Sequence, residues 1–153
     1  MIIYIPYEQA LEIHHKTVEK SGGGSYNSIN IGYLESALEL MQIDEYYPTF
    51  EDKLTHLIWS INKNHAFSDG NKRLSITLGL QFLSLNGYLY CIKRFLFEME
   101  NISYHLAAGN IDKELLQDII HSFLENEEDF NEELKLRLLL AISKNDIDID
   151  IEY

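Results

Sequence analysis

The sequence is poor in cysteine and proline and has no long uninterrupted apolar run. Cys91 is the only cysteine in 153 residues, which excludes an internal disulfide framework and a cysteine metal cluster and fits a reducing compartment. The two prolines leave long helices possible. No window approaches the roughly 18 consecutive apolar residues of a membrane span, and the start MIIYIPYEQA lacks the basic region of a signal peptide. We therefore expect a cytoplasmic protein without a membrane segment.

Basic residues are also scarce. Lys and Arg number 12 against 25 Asp and Glu, which gives a net charge of −13. Nucleic-acid phosphates and anionic lipid headgroups repel such a surface, so the charge argues against binding to nucleic acid or to a membrane. Most acidic surfaces provide solubility only, although this one is compatible with a basic protein partner.

Apolar residues recur at helical spacing over most of the chain. Its length fits one domain. Predicted helices lie at about residues 7–20, 32–42, 49–63, 71–85, 96–108, 112–125 and 131–143. The predicted N-terminal signals are a cap at Asn30, a capping box from Thr49 to Asp52, and a cap at Asp112. Because residues 71–85 are apolar nearly all round, that helix should lie in the middle of the domain. The predicted fold class is all-α with about seven helices.

Two stretches have some β character. Residues 25–32, SYNSINIG, are typical of a loop or a short hairpin. The tail NDIDIDIEY alternates apolar and acidic residues, which predicts a strand that could pair with MIIYI; a frayed terminus is the alternative.

The stretch NHAFSDGNKRLS, residues 64–75, collects polar chemistry between an amphipathic helix and an apolar one. Ser68 and Asp69 are cap residue types, so the second helix should begin near Gly70 or Asn71. The first N–H groups of a helix form an anion site, and a glycine lets an anion approach the backbone closely.

The side chains of this stretch fit the transfer of a phosphate group. His65 can take a proton from a hydroxyl nucleophile, and Asp69 is a hard oxygen ligand suited to Mg²⁺. Asn71, Lys72 and Arg73 can contact phosphate oxygens, while Phe67 would anchor the loop in the core. The predicted catalytic residue is therefore His65, the predicted metal ligand is Asp69, and Gly70 belongs to the phosphate site.

Taken singly, these residues have simpler interpretations. His65 alone is typical of a loop histidine, Asp69 alone of a helix cap, and Gly70 of turn chemistry. Those interpretations do not explain Lys72 and Arg73 together, because cations in the first turn oppose the helix dipole at a cost of a few tenths to about 1 kcal/mol each. A polyanion such as a triphosphate at this helix end would offset that cost.

The string HAFSDGNKR resembles the H-x-F-x-[DE]-x-N-[GK]-R signature of the Fic and death-on-curing family, with every fixed position present. GYLESALELM, residues 32–41, resembles the helix ahead of the motif in death-on-curing toxins. The similarity continues through residues 47–87 and 102–124, so that only about 127–153 fall outside. The resemblance implies a Fic-like helical domain over residues 1–126, with 127–153 as a C-terminal helix and tail of the same domain.

The resemblance implies transfer from a Mg²⁺-bound nucleotide to a hydroxyl of a target protein. His65 would be the general base, Asp69 the Mg²⁺ ligand, and Asn71, Lys72 and Arg73 the phosphate contacts. Residues 21–32 would form a flap that holds the target by extended-chain pairing. ATP is the implied substrate, and elongation factor Tu is the target implied by the toxin branch. The family's inhibitory motif [ST]-x-x-x-E-[GN] is absent from the sequence, which implies a separate antitoxin chain.

The group transferred stays open at this point. Lys72 resembles the death-on-curing branch, which passes on the γ-phosphate, because a lysine fills room that the adenylyl-transferring branch leaves with a glycine. Gly70 matches the adenylyl branch instead, and NSINIG departs from the G-[IL]-R-D usual before the helix at residue 32. The alternatives are AMP transfer of Fic type and an inactive module that binds a nucleotide or a partner.

The other histidines and aromatics give weaker signals. His14 and His15 are adjacent, so they point about 100° apart on a helix and cannot easily share an ion, and core packing is the better interpretation of His14. The remaining histidines, His56, His105 and His121, show no zinc spacing. Tyr46, Tyr47 and Trp59 are interpreted as core or rim aromatics, with a nucleobase platform as the alternative.

Overall fold

The structure, a computed structural model, is built from helices. It describes residues 1–20, 30–64 and 70–151, with side chains up to Ser143 and without that of Lys20. The elements in chain order are α1 (Tyr7–Lys20), α2 (Gly32–Leu40), α3 (Phe50–Lys63), α4 (Asn71–Leu85), a short 3₁₀ turn (Leu89–Cys91), α5 (Ile92–Ala107), α6 (Lys113–Leu124) and α7 (Glu132–Ile151). These seven α-helices, with no strand among the described residues, confirm the predicted all-α class.

Two of the three predicted N-terminal caps are confirmed. Thr49 accepts a hydrogen bond from Asp52 N at 3.1 Å and Asp52 accepts one from Thr49 N at 3.2 Å, so the capping box at α3 is complete. Asp112 accepts a hydrogen bond from Leu115 N at 2.8 Å.

The third cap is displaced. The N-cap of α2 is Ile31, which makes no side-chain cap hydrogen bond. Asn30 Oδ1 instead accepts from Gly32 N at 3.2 Å, because it lies one position ahead of the cap and reaches only the first N–H of the helix.

The predicted pairing of the two termini as strands is wrong. Residues 145–151 of the tail belong to α7, which runs to Ile151. Near the N-terminus, Asn86 takes the place of a strand partner: Ile3 N donates to its Oδ1 at 2.8 Å, and its Nδ2 donates to Ile3 O at 2.9 Å. A side-chain amide thus satisfies the backbone groups of Ile3 that a second strand would otherwise bond.

The predicted start of α5 at residue 96 is also wrong. The 3₁₀ turn leads directly into the helix at Ile92, with Cys91 as an N-cap that makes no side-chain hydrogen bond. This helix start therefore has no polar cap that the sequence could reveal.

The centre of the domain is the packed pair of helices α3 and α4. α4 packs against α1, α3 and α5, while α3 also contacts α2 and α6. The α4 side chains Leu74, Leu78, Phe82 and Leu83 are fully buried, which confirms the predicted central position. α4 comes very close to its neighbours at Gly79, where a Cβ would lie 2.8 Å from Phe95 Cζ and 3.2 Å from Ile58.

Helix α3 is more buried than its amphipathic pattern predicts. Besides its apolar face it buries the polar residues Lys53, Thr55, His56, Ser60 and Asn62.

Lys53 shows how such a residue is accommodated. Its ammonium donates to Met41 O at 3.0 Å and pairs with Asp44 Oδ1 at 2.8 Å. Burial lowers the pKa of Lys53, but hydrogen bonds with Asp44 and Tyr4 outweigh this and raise it above its usual value. The lysine therefore stays charged inside the domain.

Within the described part of the chain, no helix is both long enough and apolar enough to cross a membrane.

Candidate active site

The predicted site lies where α3 ends and α4 begins. Residues 65–69 lie outside the described residues. The structure therefore does not test the predicted roles of His65 as base, Phe67 as anchor and Asp69 as metal ligand. Most of the predicted flap, residues 21–29, also lies outside the described residues. What the structure describes is the frame on both sides of the loop: Asn62, Lys63 and Asn64 upstream, and the first turn of α4 downstream.

The downstream side begins with Gly70 in a left-handed conformation. Gly70 is the N-cap of α4 with φ +85°, and Leu74 N donates to its carbonyl at 2.8 Å, so the helix starts at Asn71 as predicted. A Cβ on Gly70 would lie 3.2 Å from Val18 Cγ2 and 3.4 Å from His14 Nε2. The sequence predicts this glycine as a point of anion approach, and the structure adds two other reasons for it, the positive φ and the contact with α1.

The first turn of α4 brings together the four predicted phosphate-binding residues. Lys72 and Arg73 are exposed, whereas Asn71 is buried, with 8% of its surface accessible. The N–H groups of a helix's first turn have no carbonyl of an earlier turn to bond, and they point along the positive end of the helix dipole. Two exposed cations therefore lie at the positive end of this helix, which is the arrangement predicted for the phosphate site.

The end of α3, just upstream of the loop, is hydrogen-bonded to the end of α5. Asn62 Nδ2 donates to Ser103 O at 3.1 Å, and Lys63 Nζ donates to Leu106 O at 2.9 Å. The Lys63 ammonium also lies 5.4 Å from the centre of the Trp59 ring. Sequence reasoning missed these two anchors, because hydrogen bonds to a backbone about forty residues later leave no local pattern.

His14 is a described histidine that lies against this frame. It is fully buried on α1, in agreement with the core interpretation, and its ring is the one that a Cβ on Gly70 would touch. Among the described residues, no three His, Cys, Asp or Glu side chains are grouped to hold a metal ion.

A second polar cluster lies apart, where α3 meets α6. The His56 ring stacks on Tyr47 with centroids 4.2 Å apart, and Lys113 Nζ lies 3.4 Å from His56 Nδ1. Burial, reinforced by the charge of Lys113, lowers the pKa of His56 to about 4. His56 is therefore neutral at physiological pH. Because Tyr47 is stacked on it, the structure favours the core interpretation of that tyrosine over a nucleobase platform.

Comparison with known proteins gives two matches. The model of the Fic/DOC family matches residues 4–83, which is more than half of the chain. A protein from Mycolicibacterium smegmatis named Toxin Doc is 36% identical over 94 residues, which cover 59% of this chain and 72% of that protein. The family match includes α1 to α3, the whole of the loop, and α4 as far as Leu83.

Proposed function

Because this chain belongs to the Fic/DOC family, we propose that it transfers the γ-phosphate of Mg²⁺-bound ATP to a hydroxyl side chain of a target protein. We further propose that it acts as the toxin of a toxin–antitoxin pair, with a separate antitoxin chain as partner. The similarity to a protein named Toxin Doc supports the second part. The single observation that carries the first part is the turn from Gly70 to Arg73, with two exposed cations at the start of a helix.

The proposed chemistry assigns one step to each group. His65 accepts the proton of the target hydroxyl, whose oxygen attacks the γ-phosphorus as the bond to the β–γ bridging oxygen breaks, and ADP leaves. Lys72, Arg73 and the N–H groups at the start of α4 stabilise the negative charge of the phosphates. Asp69 would hold Mg²⁺, which would supply positive charge to neutralise the phosphates. Elongation factor Tu is a candidate target by family resemblance.

Lys72 is the residue that favours phosphate over AMP transfer. Its side chain, exposed on the first turn of α4, occupies room that a glycine would leave open for the terminal phosphates of a nucleotide bound for adenylyl transfer. Gly70 does not favour either branch, since its positive φ and its contact with α1 already account for a glycine there.

The test uses ATP labelled at either the α- or the γ-phosphate, incubated with the protein, Mg²⁺ and a bacterial lysate. We expect label on a lysate protein from γ-labelled ATP only, and none with His65→Ala. Label from α-labelled ATP would show that the protein transfers AMP and not the γ-phosphate. If the folded protein transfers label from neither form of ATP, the proposed transferase activity is contradicted.

Removing the Lys72 side chain tests the proposed phosphate contact separately. Lys72→Gly should lower γ-phosphate transfer at least about tenfold, because a charge-assisted hydrogen bond contributes about 1.5–3 kcal/mol. The matched control is Lys93→Gly, since Lys93 is likewise an exposed second residue of a helix, α5. Equal transfer by both variants would remove Lys72 from the site.

A further inference from the structure

The last turns of α5 contact both sides of the loop that carries the proposed site. On the upstream side, Ser103 O and Leu106 O accept the hydrogen bonds from Asn62 and Lys63 described above. Both accepting residues and Asn62 are almost fully buried. Because carbonyls at the C-terminal end of a helix carry partial negative charge, the Lys63 ammonium is favourably placed there. The end of α3 is therefore fixed on α5 just before the loop starts.

On the downstream side, the contact is between a cation and a ring. Lys72 Nζ lies 5.5 Å from the centre of the Tyr104 ring, within the range of a cation–π interaction. Tyr104 is 57% exposed, so this contact is at the surface, beside the first turn of α4. The same α5 segment thus reaches Lys72, one of the proposed phosphate-binding residues.

The Tyr104 ring also contacts the ring of its neighbour, His105. The His105 ring meets it edge-on with centroids 5.1 Å apart, and His105 Nδ1 shares a hydrogen bond of 3.0 Å with Asn110 Nδ2. Asn110 N in turn donates to His105 O at 2.9 Å, which closes the end of α5. These contacts restrict the ring on which the lysine rests.

An aromatic ring and a carboxylate restrain a lysine side chain in different ways. A carboxylate would pair with the ammonium and compete with a phosphate for it. The aromatic face attracts the cation without neutralising it, so the N–H groups of the ammonium stay available to an anion. Among the described residues, the ion pairs of the structure do not include Lys72. A long side chain held in this way loses less conformational entropy when it binds a ligand.

We propose that Tyr104 is a positioning residue for Lys72. It holds the ammonium at the start of α4 before the nucleotide arrives, and so strengthens the binding of the nucleotide's phosphates. The inference rests on the proposed function, because it takes the first turn of α4 to be the phosphate site. It adds a residue on α5, outside the part of the chain that the family model matches.

The first test measures the Kd of Mg-ATP by calorimetry. Tyr104→Leu, which removes the ring, should raise the Kd about two- to fivefold, the range expected for an exposed cation–π contact. Tyr104→Phe keeps the ring and should bind as the wild type does. Tyr90→Leu, which removes another exposed tyrosine, is the matched control and should leave the Kd unchanged. In a Lys72→Met background, Tyr104→Leu should have no further effect, whereas an undiminished effect there would overturn the inference.

The second test observes the contact itself, without nucleotide. Lysines are labelled by reductive ¹³C-dimethylation, and the Lys72 signal is identified by its loss in Lys72→Arg. Ring current from Tyr104 should shift this signal upfield in the wild type and in Tyr104→Phe, and the shift should disappear in Tyr104→Leu. An unshifted wild-type signal would overturn the inference.

The outcomes separate the inference from the proposed function. Mg-ATP binding with the same Kd in the wild type and Tyr104→Leu overturns the inference alone. Mg-ATP binding without His65-dependent transfer overturns the proposed function alone, and no binding by the folded wild type overturns both.

Discussion

At the scale of single residues, Gly70 decides where the phosphate-binding turn sits. Its positive φ makes an L side chain strained, at a cost of roughly 1–2 kcal/mol, and a Cβ would also press on Val18 and His14. Both effects act on the residue that starts α4. The geometry of Lys72 and Arg73 therefore depends on a position that need not touch the substrate at all.

Gly70→Ala should consequently lower both stability and transfer. Gly87→Ala is a matched control, because Gly87 has φ +83° but nothing within 4 Å of an added Cβ. We expect Gly87→Ala to lose about 1–2 kcal/mol of unfolding free energy in urea, Gly70→Ala to lose at least as much, and only Gly70→Ala to lose transfer activity as well. Loss of activity in both variants to the same degree would show that α1 packing at Gly70 is unimportant.

His56 predicts a pH dependence of stability. Its pKa is about 4 in the folded protein, against 6.5 when unfolded, because burial and Lys113 disfavour the charged ring. As pH falls from 6.5 to 4, the unfolded chain binds a proton that the folded protein does not, so stability is lost over this window, by up to about 3 kcal/mol. His56→Gln should flatten the curve of unfolding free energy against pH between these values.

His121 provides the control for that measurement. Its hydrogen bond to Glu51 raises its pKa above 6.5, so its contribution is complete below pH 6.5 and is lost as pH rises through the folded pKa. His121→Gln should therefore leave the slope between pH 4 and 6.5 unchanged. A flattening equal to that of His56→Gln would mean that other groups cause the acid dependence.

The contacts that the sequence could predict are those between residues close together in the chain. The capping box at Thr49 and the cap at Asp112 join groups three positions apart. The anchors Asn62 and Lys63, and the contact of Lys72 with Tyr104, join groups more than thirty positions apart. Their partners depend on how α5 packs, which no local pattern specifies.

At the scale of elements, the domain depends on the close approach of α4 to α3 and α5. Gly79 permits this approach, since an added Cβ would meet the buried Phe95 ring at 2.8 Å. Five of the seven helices are predicted close to their observed bounds, because apolar residues recur along them at helical spacing; the exceptions are the start of α5 and the end of α7. The tail is not predicted as a helix, because its strict alternation of Ile and Asp imitates a strand although α7 continues through it.

Gly79→Ala should destabilise the fold by about 1 kcal/mol. Overpacking costs about 1–3 kcal/mol, and the better helix propensity of alanine returns up to about 1 kcal/mol. In a Phe95→Leu background the same substitution should cost less, because the ring atom that it meets is gone. Denaturant unfolding of the four proteins measures this coupling, and additive effects would contradict the close contact.

At the scale of the whole molecule, the family match covers α1 to α4 and leaves the later helices to be explained. α7 packs on α6, where Arg137 pairs with Asp118 at 2.6 Å. This contact supports the prediction that residues 127–153 extend the same domain, which stays a prediction. The net charge of −13 is compatible with a basic protein partner.

The candidate site could be predicted from the sequence as a set of residue types, since nine consecutive positions carry the motif. The structure adds what surrounds it: α1 beneath Gly70, and α5 against both Lys63 and Lys72. These neighbours come from distant parts of the chain and are specified only when the helices pack together.

The most direct test of the proposed reaction is mass spectrometry of the protein that becomes modified. The lysate protein that takes up the label is purified and incubated with Mg-ATP and either the wild type or His65→Ala. The mass and position of the added group are then determined. We predict one phosphate on a serine, threonine or tyrosine hydroxyl with the wild type and none with His65→Ala. An added AMP, or a phosphate that appears equally with His65→Ala, would contradict γ-phosphate transfer by this site.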